Sequence, residues 1–324
     1  MKEIIVSENE QDKRFDRFLK GYLKEASGGF IYKMLRKKNI TLNDKKADGT
    51  EKLKKGDVIK IFFTDETLDK FRGADAQGCD IRPEADAYKK IGELHVIYED
   101  DNIILVDKPA GVLSQKSQKR DVSLNEWLIG YLLNKGDITA ESLETYRPSI
   151  CNRLDRNTSG IVICAKSLSG ARTMNALIKG RNVGKYYLTI VKGHIDKDFS
   201  LKGFLSKDEK KNKVKVLKED PKDPDYSYIE TQFHVIRYNP ENDLTKLEVK
   251  LITGKPHQIR AHLSSIGHPI VGDIKYGASA VKGINYQLLH SYRLVFPKGL
   301  DKPFDILSGK EFTAKEPKEF EIFE

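Results

Sequence analysis

The chain has 324 residues, of which 39% are hydrophobic and 32% charged, a composition typical of a soluble globular protein with room for two domains. No apolar run is long enough to cross a membrane and the N-terminus lacks the apolar core of a signal peptide, so we expect a cytoplasmic protein with no membrane partner. The three cysteines include no CxxC pair, which argues against a disulfide framework and against a cysteine zinc site.

Positive charge is concentrated near the N-terminus. The net charge is +9, and residues 1–64 alone hold 16 lysines and arginines against 10 acidic residues. A basic module ahead of a nearly neutral body indicates a polyanion partner. A solvated charged surface explains the charge equally well, so charge alone does not decide between the two.

The basic N-terminal segment has the pattern of two helices and a small sheet. Apolar side chains recur at helical spacing over residues 15–23, with Asp12 as the expected N-cap, and again over residues 30–35. Strand-like runs follow at residues 40–42 and 58–62. The basic side chains that we expect to contact phosphates are Arg17, Lys33, Arg36, Lys37 and Lys38.

This segment resembles the RNA-binding domain named after a small-subunit ribosomal protein, also called the alpha-L motif. The resemblance covers roughly residues 12–63 and implies a small RNA-binding domain at residues 1–64. Residues 65–90 are rich in Asp, Ala and Gly without an apolar period, which predicts a linker, although a helix within it is compatible with the sequence. Residues 91–324 then form the second domain.

The second domain contains more predicted strands than helices. The pattern predicts a hairpin over residues 94–106, a helix with Trp127 in the core, and a helix capped by Ser167. Alternation over residues 247–251 indicates a half-buried strand, and Pro256 suits the first turn of a short helix. Because most strands are joined by turns, we expect an α+β fold with a mixed, mainly antiparallel sheet and flanking helices.

The densest chemistry lies around Asp155, which has Arg153 and Arg156 close to it in sequence. A nearby cation keeps a carboxylate ionised, and a positioned carboxylate can act as a nucleophile or a general base. A structural ion pair at the surface is the alternative. Phosphate-loop and serine-hydrolase motifs are absent, and the histidine spacing does not fit a zinc-protease helix, so we expect neither a cofactor nor a metal.

Several runs, in order, resemble motifs of the RNA pseudouridine synthases of the RluA type, including the RluC and RluD branch. Residues 153–160 look like the catalytic motif H-R-L-D-x-x-T-S-G after its histidine. Residues 181–187 are similar to R-x-V-x-K-x-Y, and residues 253–262 to T-G-R-x-H-Q-I-R-x-H. The runs at residues 107–111 and 267–273 also match, so the resemblance extends from about residue 92 to residue 296.

The resemblance implies a role for five residues. Asp155 takes the position of the catalytic carboxylate, Tyr187 lies against the target base, and Arg260 pairs with Asp155. Arg153 and Lys185 are expected to bind the RNA in the cleft. Two positions depart from the family pattern, because Asn152 stands where a histidine is usual and Lys255 where an arginine is usual.

The implied activity is the isomerisation of specific uridines to pseudouridine in structured RNA, by a monomer without a cofactor. Large-subunit (23S) ribosomal RNA is the expected substrate and transfer RNA the alternative. Two other classes stay open: a non-catalytic RNA-binding or ribosome-assembly protein, and an RNA hydrolase that uses Asp155 as a base. The intact Asp155, Tyr187 and Arg260 argue against the non-catalytic class. The sequence does not decide whether Asp155 attacks the sugar, attacks the base or removes the C2′ proton.

Overall fold

The structure is a computed structural model that describes residues 1–73, 80–208 and 213–324. The α-helices among these residues are α1 (Phe15–Tyr22), α2 (Gly28–Arg36), α3 (Asp65–Arg72), α4 (Arg82–Ile91), α5 (Leu124–Lys135), α6 (Leu168–Lys179) and α7 (Gln258–Ser265). The strands are β1 (Lys2–Ile5), β2 (Ile40–Leu42), β3 (Val58–Ile61), β4 (His95–Glu99), β5 (Ile103–Lys108), β6 (Ser149–Ile150), β7 (Ser159–Ala165), β8 (Gly184–Lys192), β9 (Phe199–Asp208), β10 (Lys213–Leu217), β11 (Ser227–Asn239), β12 (Leu244–Leu251), β13 (Leu289–Val295) and β14 (Glu311–Thr313). Within the described part of the chain, no helix has the length and apolar character of a membrane span.

The N-terminal unit has a core of its own beneath a three-stranded antiparallel sheet in the order β1-β3-β2. The apolar faces of α1 and α2 fill this core, which confirms the helical spacing seen in the sequence. The expected N-cap at Asp12 is wrong. The chain turns there with a φ of 63°, the Asp12 backbone N–H donates to Leu53 O, and α1 begins at Phe15 without a side-chain cap.

The segment assigned to a linker contains two helices, α3 and α4; residues 74–79 of that segment lie outside the described residues. Leu68 of α3 packs into the N-terminal core, whereas α4 lies against α5. The approach of α4 to α5 is close, since a Cβ at Gly130 would lie 2.3 Å from Glu84 O. Both helices consist mostly of charged residues, so their sequences carry little apolar periodicity.

Residues 91–324, called the body below, are built on one large sheet. Its strand order is β10-β9-β11-β12-β8-β13-β7-β5-β4, with β14 beside β13 and β6 beside β7. Among the described strands, β7 and β13 form the one parallel pair, and the other pairs are antiparallel. The expected α+β fold with a mixed, mainly antiparallel sheet and flanking helices is therefore confirmed.

Apolar residues cover both faces of the central strands. On β5, Ile104 joins the core that contains Trp127 of α5, while Ile103 joins the core that contains Met174 of α6. This two-sided burial follows from the period of two along a strand. Trp127 is fully buried, as the sequence predicted, and its indole N–H donates to Gly92 O at 2.8 Å. Ser167 caps α6, also as predicted, by accepting from Gly170 N–H.

The N-terminal unit contacts the body through polar groups. Arg72 of α3 pairs with Glu144 at 2.5 Å, and Lys13 Nζ donates to Thr145 O at 3.3 Å. A third contact joins the Asn9 side chain to the Leu168 backbone N–H, at 3.0 Å. These contacts tie the basic unit to the start of α6 and to the loop that follows α5.

Candidate active site

Asp155 lies in the loop between β6 and β7, just before β7 pairs with β13. Gly160 makes the close approach of these two strands possible, because its φ is 108° and a Cβ there would lie 2.2 Å from Ser291 O. The loop is further fixed by Ser114, whose hydroxyl donates to Leu154 O at 2.8 Å and accepts from Leu154 N–H at 3.0 Å. The carboxylate of Asp155 therefore projects from a backbone held on both sides.

Arg260 connects Asp155 to a second, buried carboxylate. Its Nη1 donates to Asp155 Oδ2 at 2.8 Å, while Nε and Nη2 form a two-point contact with Asp273 at 2.7 and 2.8 Å. Burial works against the charge of Arg260, but the bonds to Asp273 and then to Asp155 outweigh it and raise its pKa. A fully charged guanidinium of fixed orientation therefore faces the Asp155 carboxylate.

The turn before α7 sets the position of Arg260. Gln258 is buried, and its Oε1 accepts from the Thr253 hydroxyl at 2.9 Å and from the Lys255 N–H at 3.1 Å. Its Nε2 donates to Glu230 O at 3.0 Å. These bonds hold the loop and the first turn of α7 to β11, so Arg260 meets Asp155 across the cleft. Lys255, one of the two departures from the family pattern, takes part through its backbone, and its side chain is exposed.

Lys108 lies beneath the loop that bears Asp155 and is fully buried. Its ammonium donates to Pro109 O, Val112 O and Arg156 O at 2.9 to 3.0 Å. Burial lowers the pKa of Lys108 to about 7, against the opposing charge of Asp155. Three carbonyls match the three N–H donors of the protonated amine, so Lys108 joins the loop at residues 109–112 to the loop that bears Asp155.

Tyr187 lies on β8 and is buried next to Asp155. Burial raises the pKa of its phenol to about 12; the neighbouring Ser291 hydroxyl reduces this shift and the negative charge of Asp155 adds to it. The phenol is thus neutral at ordinary pH. A neutral ring on a rigid central strand is suited to lie against a planar base rather than to remove a proton.

Lys185 is on the same face of β8, two residues before Tyr187. Burial, with a smaller effect from Arg181, lowers its pKa, and its Nζ lies 3.2 Å from where a Cβ at Gly254 would be. Among the described residues it forms no ion pair or hydrogen bond. Arg153 is exposed and likewise lacks a described partner. Arg156, for which the sequence indicated no role, donates from Nε to Gly111 O at 3.1 Å.

The five basic residues of the N-terminal unit, Arg17, Lys33, Arg36, Lys37 and Lys38, are all exposed. Since α2 ends at Arg36, Lys37 and Lys38 lie in the turn after the helix and not on its face. None of the five contacts the residues around Asp155. They belong to a surface separate from the catalytic group.

Asn152 has a structural role in the loop that bears Asp155. Its Oδ1 accepts the backbone N–H of Ile163 at 2.7 Å, while Cys151 N–H donates to Ile163 O at 2.7 Å. A histidine at this position could offer Nδ1 as an acceptor in the same place. The departure at Asn152 therefore preserves the backbone contact that holds β7 beside the loop.

Sequence reasoning missed three side chains that contact this group: Asp273, His257 and Tyr276. All three lie in or just after runs that matched the family, but a motif does not say which of its polar residues meet in space. Across the described ranges, no group of three His, Cys, Asp or Glu side chains could hold a metal ion.

Comparison with known proteins finds RNA pseudouridine synthases that match the part of the chain around Asp155. A family model described as RNA pseudouridylate synthase matches residues 102–265, which include Asp155, Tyr187 and Arg260. The ribosomal large subunit pseudouridine synthase C of Vibrio cholerae is 30% identical over 90% of this chain and 88% of its own length. The ribosomal large subunit pseudouridine synthase D of Borreliella burgdorferi is 32% identical over 99% of this chain and 91% of its own.

A solved structure supports the fold. Human RNA pseudouridylate synthase domain containing 4 superposes with a TM-score of 0.55 at 19% identity, covering 74% of this chain and 94% of that protein. At this identity the likeness concerns the fold of the body.

Proposed function

Since the chain belongs to the RNA pseudouridylate synthase family, in its RluA branch, we propose that it isomerises uridines of large-subunit ribosomal RNA with Asp155 as the catalytic carboxylate. The observation that carries the catalytic role is the contact of Asp155 with Arg260, which is itself held by the buried Asp273. The ribosomal substrate is supported by the names of the two bacterial relatives.

The arrangement around Asp155 suits the reaction, in which the N1–C1′ bond of uridine is broken and a C5–C1′ bond is formed. Each route open to Asp155, attack on the sugar, attack on the ring or removal of the C2′ proton, requires an ionised carboxylate. The Arg260 guanidinium donates to Oδ2 at 2.8 Å and so places a positive charge beside that carboxylate. Its bond occupies Oδ2, and among the described residues Oδ1 has no hydrogen-bond partner, which leaves that oxygen for the substrate.

The target uridine must leave its stack to reach Asp155. In this proposal the neutral ring of Tyr187 lies against the base, the exposed Arg153 fills the gap that the base leaves, and Lys185 contacts a phosphate. The half-buried ammonium of Lys185 supports that last role, because a desolvated cation without a described partner gains most from an anion. No redox step or energy source is needed.

The N-terminal unit is proposed to be an RNA-binding domain of residues 1–64, with residues 65–90 as the connection to the catalytic domain of residues 91–324. Its five exposed basic residues would add phosphate contacts that do not depend on sequence. We propose that the chain acts as a monomer in the cytoplasm, since Arg260 and Asp273 hold Asp155 from within one chain.

The test is to map pseudouridine in ribosomal and transfer RNA from cells with and without the protein, and to repeat it in vitro with the purified protein. Loss of a site in large-subunit ribosomal RNA is the expected result. Loss of sites in transfer RNA alone would show that transfer RNA is the substrate and would leave the proposed activity unchanged. If every site persists and purified protein yields no pseudouridine, the enzymatic function is wrong; shortened RNA would indicate a hydrolase.

A further inference from the structure

His257 lies beside the catalytic carboxylate without a bond to it. Its Nε2 is 3.8 Å from Asp155 Oδ2, the oxygen that also accepts from Arg260. His257 is the residue before α7, and its backbone lies in the left-handed region with a φ of 55°. Catalytic hydrogen bonds are often long in the absence of substrate and shorten in the complex.

The Tyr276 hydroxyl lies within hydrogen-bond distance of His257 Nδ1 and therefore bears on which ring nitrogen carries the hydrogen. The Tyr276 hydroxyl accepts the backbone N–H of Val214 at 3.0 Å and lies 2.9 Å from His257 Nδ1. Because one lone pair takes the Val214 N–H, the hydroxyl hydrogen is free to be donated to Nδ1. A neutral His257 then has its hydrogen on Nε2, which faces Asp155.

The surroundings keep His257 neutral. Burial lowers its pKa; Asp155 opposes the shift, Arg260 and Lys275 add to it, and Asp273 opposes it more weakly. Protonation at Nδ1 would also require the Tyr276 hydroxyl to turn from donor to acceptor. The neutral tautomer with hydrogen on Nε2 is therefore the form that both the hydrogen bonds and the charges favour.

We propose that His257 is a positioning residue for Asp155, and that Tyr276 acts through His257 by fixing its tautomer. The Nε2–H donates to Oδ2 once uridine fills the cleft, so that Arg260 and His257 together aim the carboxylate and leave Oδ1 toward the substrate. Tyr276 also joins this group to β10, through Val214. The proposal rests on the catalytic role of Asp155 and adds to it a second donor and the residue that orients that donor.

Two substitutions separate the role of Tyr276 from that of His257. Tyr276→Phe removes only the hydroxyl and keeps the ring, whose centroid is 4.9 Å from the Arg260 guanidinium. His257→Asn suits the left-handed backbone and retains an acceptor for Tyr276, but it is too short to reach Asp155. Tyr238→Phe is the matched control, because the Tyr238 hydroxyl bonds an exposed partner, Asp243, at 3.0 Å.

The measurement is the single-turnover rate of pseudouridine formation at saturating RNA from pH 5.5 to 9, together with the RNA dissociation constant. Both variants should lose about 10- to 100-fold in rate, the scale of a misplaced catalytic group, with unchanged RNA affinity. In Tyr276→Phe the loss should also become smaller as the pH falls, because a protonated His257 carries a hydrogen on Nε2 whichever tautomer its neutral ring adopts. The double variant should be no slower than His257→Asn.

Three results would overturn the proposal: a wild-type rate in either variant, a loss in Tyr276→Phe that is the same at every pH, or additive losses in the double variant. The second and third would indicate a structural role only. Asp155→Asn, assayed in parallel, separates this failure from that of the proposed function. If Asp155→Asn retains activity, the catalytic assignment itself fails.

Discussion

Arg260 donates to Asp155 at 2.8 Å, although 105 positions separate the two residues in the chain. The same guanidinium is held from its other edge by Asp273, whose side chain is 1% exposed. The Asp155–Arg260 pair is therefore the outer part of a three-residue group whose inner carboxylate is closed to solvent. This geometry assigns different roles to the two aspartates, one accessible and one structural.

The first prediction separates those roles. Arg260→Met leaves Asp273 buried and unpaired and should cost about 3–5 kcal/mol of unfolding free energy, measured by urea denaturation. Adding Asp273→Asn removes the uncompensated charge and should restore most of that stability. Pseudouridine formation should stay low in both variants, because Asp155 has lost its cation. Recovery of activity together with stability would contradict the role given to Arg260.

The second prediction concerns pH. His262 and His290 are buried, each with Nδ1 2.9 Å from a hydroxyl, and burial lowers the pKa of both to about 4. In the unfolded chain each histidine takes up a proton near pH 6.5, whereas in the folded chain it stays neutral down to about pH 4. Protonation therefore does not oppose folding above pH 6.5, and opposes it increasingly below that pH. Stability should fall as the pH drops from 6.5 to 4, by roughly 1.4 kcal/mol per pH unit for each histidine.

Urea unfolding at a series of pH values tests this window. His290→Asn should remove about half of the slope that the two histidines contribute. His234→Asn is the control, since His234 is exposed and its bond with Asp198 raises its pKa. An unchanged slope in His290→Asn would show that His290 does not titrate in this range.

The third prediction uses the departure at Asn152. Asn152→His should retain an acceptor for the Ile163 N–H and leave activity and melting temperature close to those of the wild type. Asn152→Leu has the same branched arrangement of heavy atoms but no acceptor, and should cost about 1–3 kcal/mol of unfolding free energy. Equal stability of the two variants would show that the hydrogen bond contributes nothing.

Much of the candidate site could be predicted from the sequence because its residues sit in long runs with characteristic spacing. Asp155, Tyr187 and Arg260 were identified in this way, and the structure brings Arg260 to Asp155. The partner of Arg260 was not predictable, since Asp273 is one of many acidic residues and nothing local indicates its burial. The same limit applies to His257 and Tyr276, whose contact depends on how α7 packs against β10.

The fold could be predicted in its class and less well in its connections. Alternating apolar residues predicted the strands, and helical spacing predicted α1 and α2. Within residues 65–90 the sequence allowed a helix but did not locate α3 and α4, because their burial depends on a few residues, such as Leu68 and Ala87, among many charged ones. Their stability comes from packing against existing cores, which a local pattern does not reveal.

The fourth prediction tests the RNA role of the N-terminal unit. Deleting residues 1–64 would expose Leu68 of α3, which packs into the N-terminal core, so substitutions at the surface disturb the fold less. Replacing Lys33, Arg36, Lys37 and Lys38 by glutamine should reduce the salt dependence of RNA binding by up to about 0.9 in slope for each phosphate that is no longer neutralised. The rate at saturating RNA should not change.

The control for that test is glutamine at four exposed lysines near the C-terminus, Lys298, Lys302, Lys310 and Lys315. It changes the net charge equally and should leave the slope as in the wild type. Equal slopes for the two quadruple variants would mean that the N-terminal residues act only through overall charge.

The most direct test of the catalytic assignment is the single-turnover rate of Asp155→Asn on an RNA that the wild type modifies. Asparagine keeps the size of the side chain and can still contact Arg260, but it is neither a nucleophile nor a base. We predict a rate at least about 10³-fold lower, with RNA affinity and unfolding free energy near those of the wild type. Pseudouridine formation by Asp155→Asn at the wild-type rate would contradict the account.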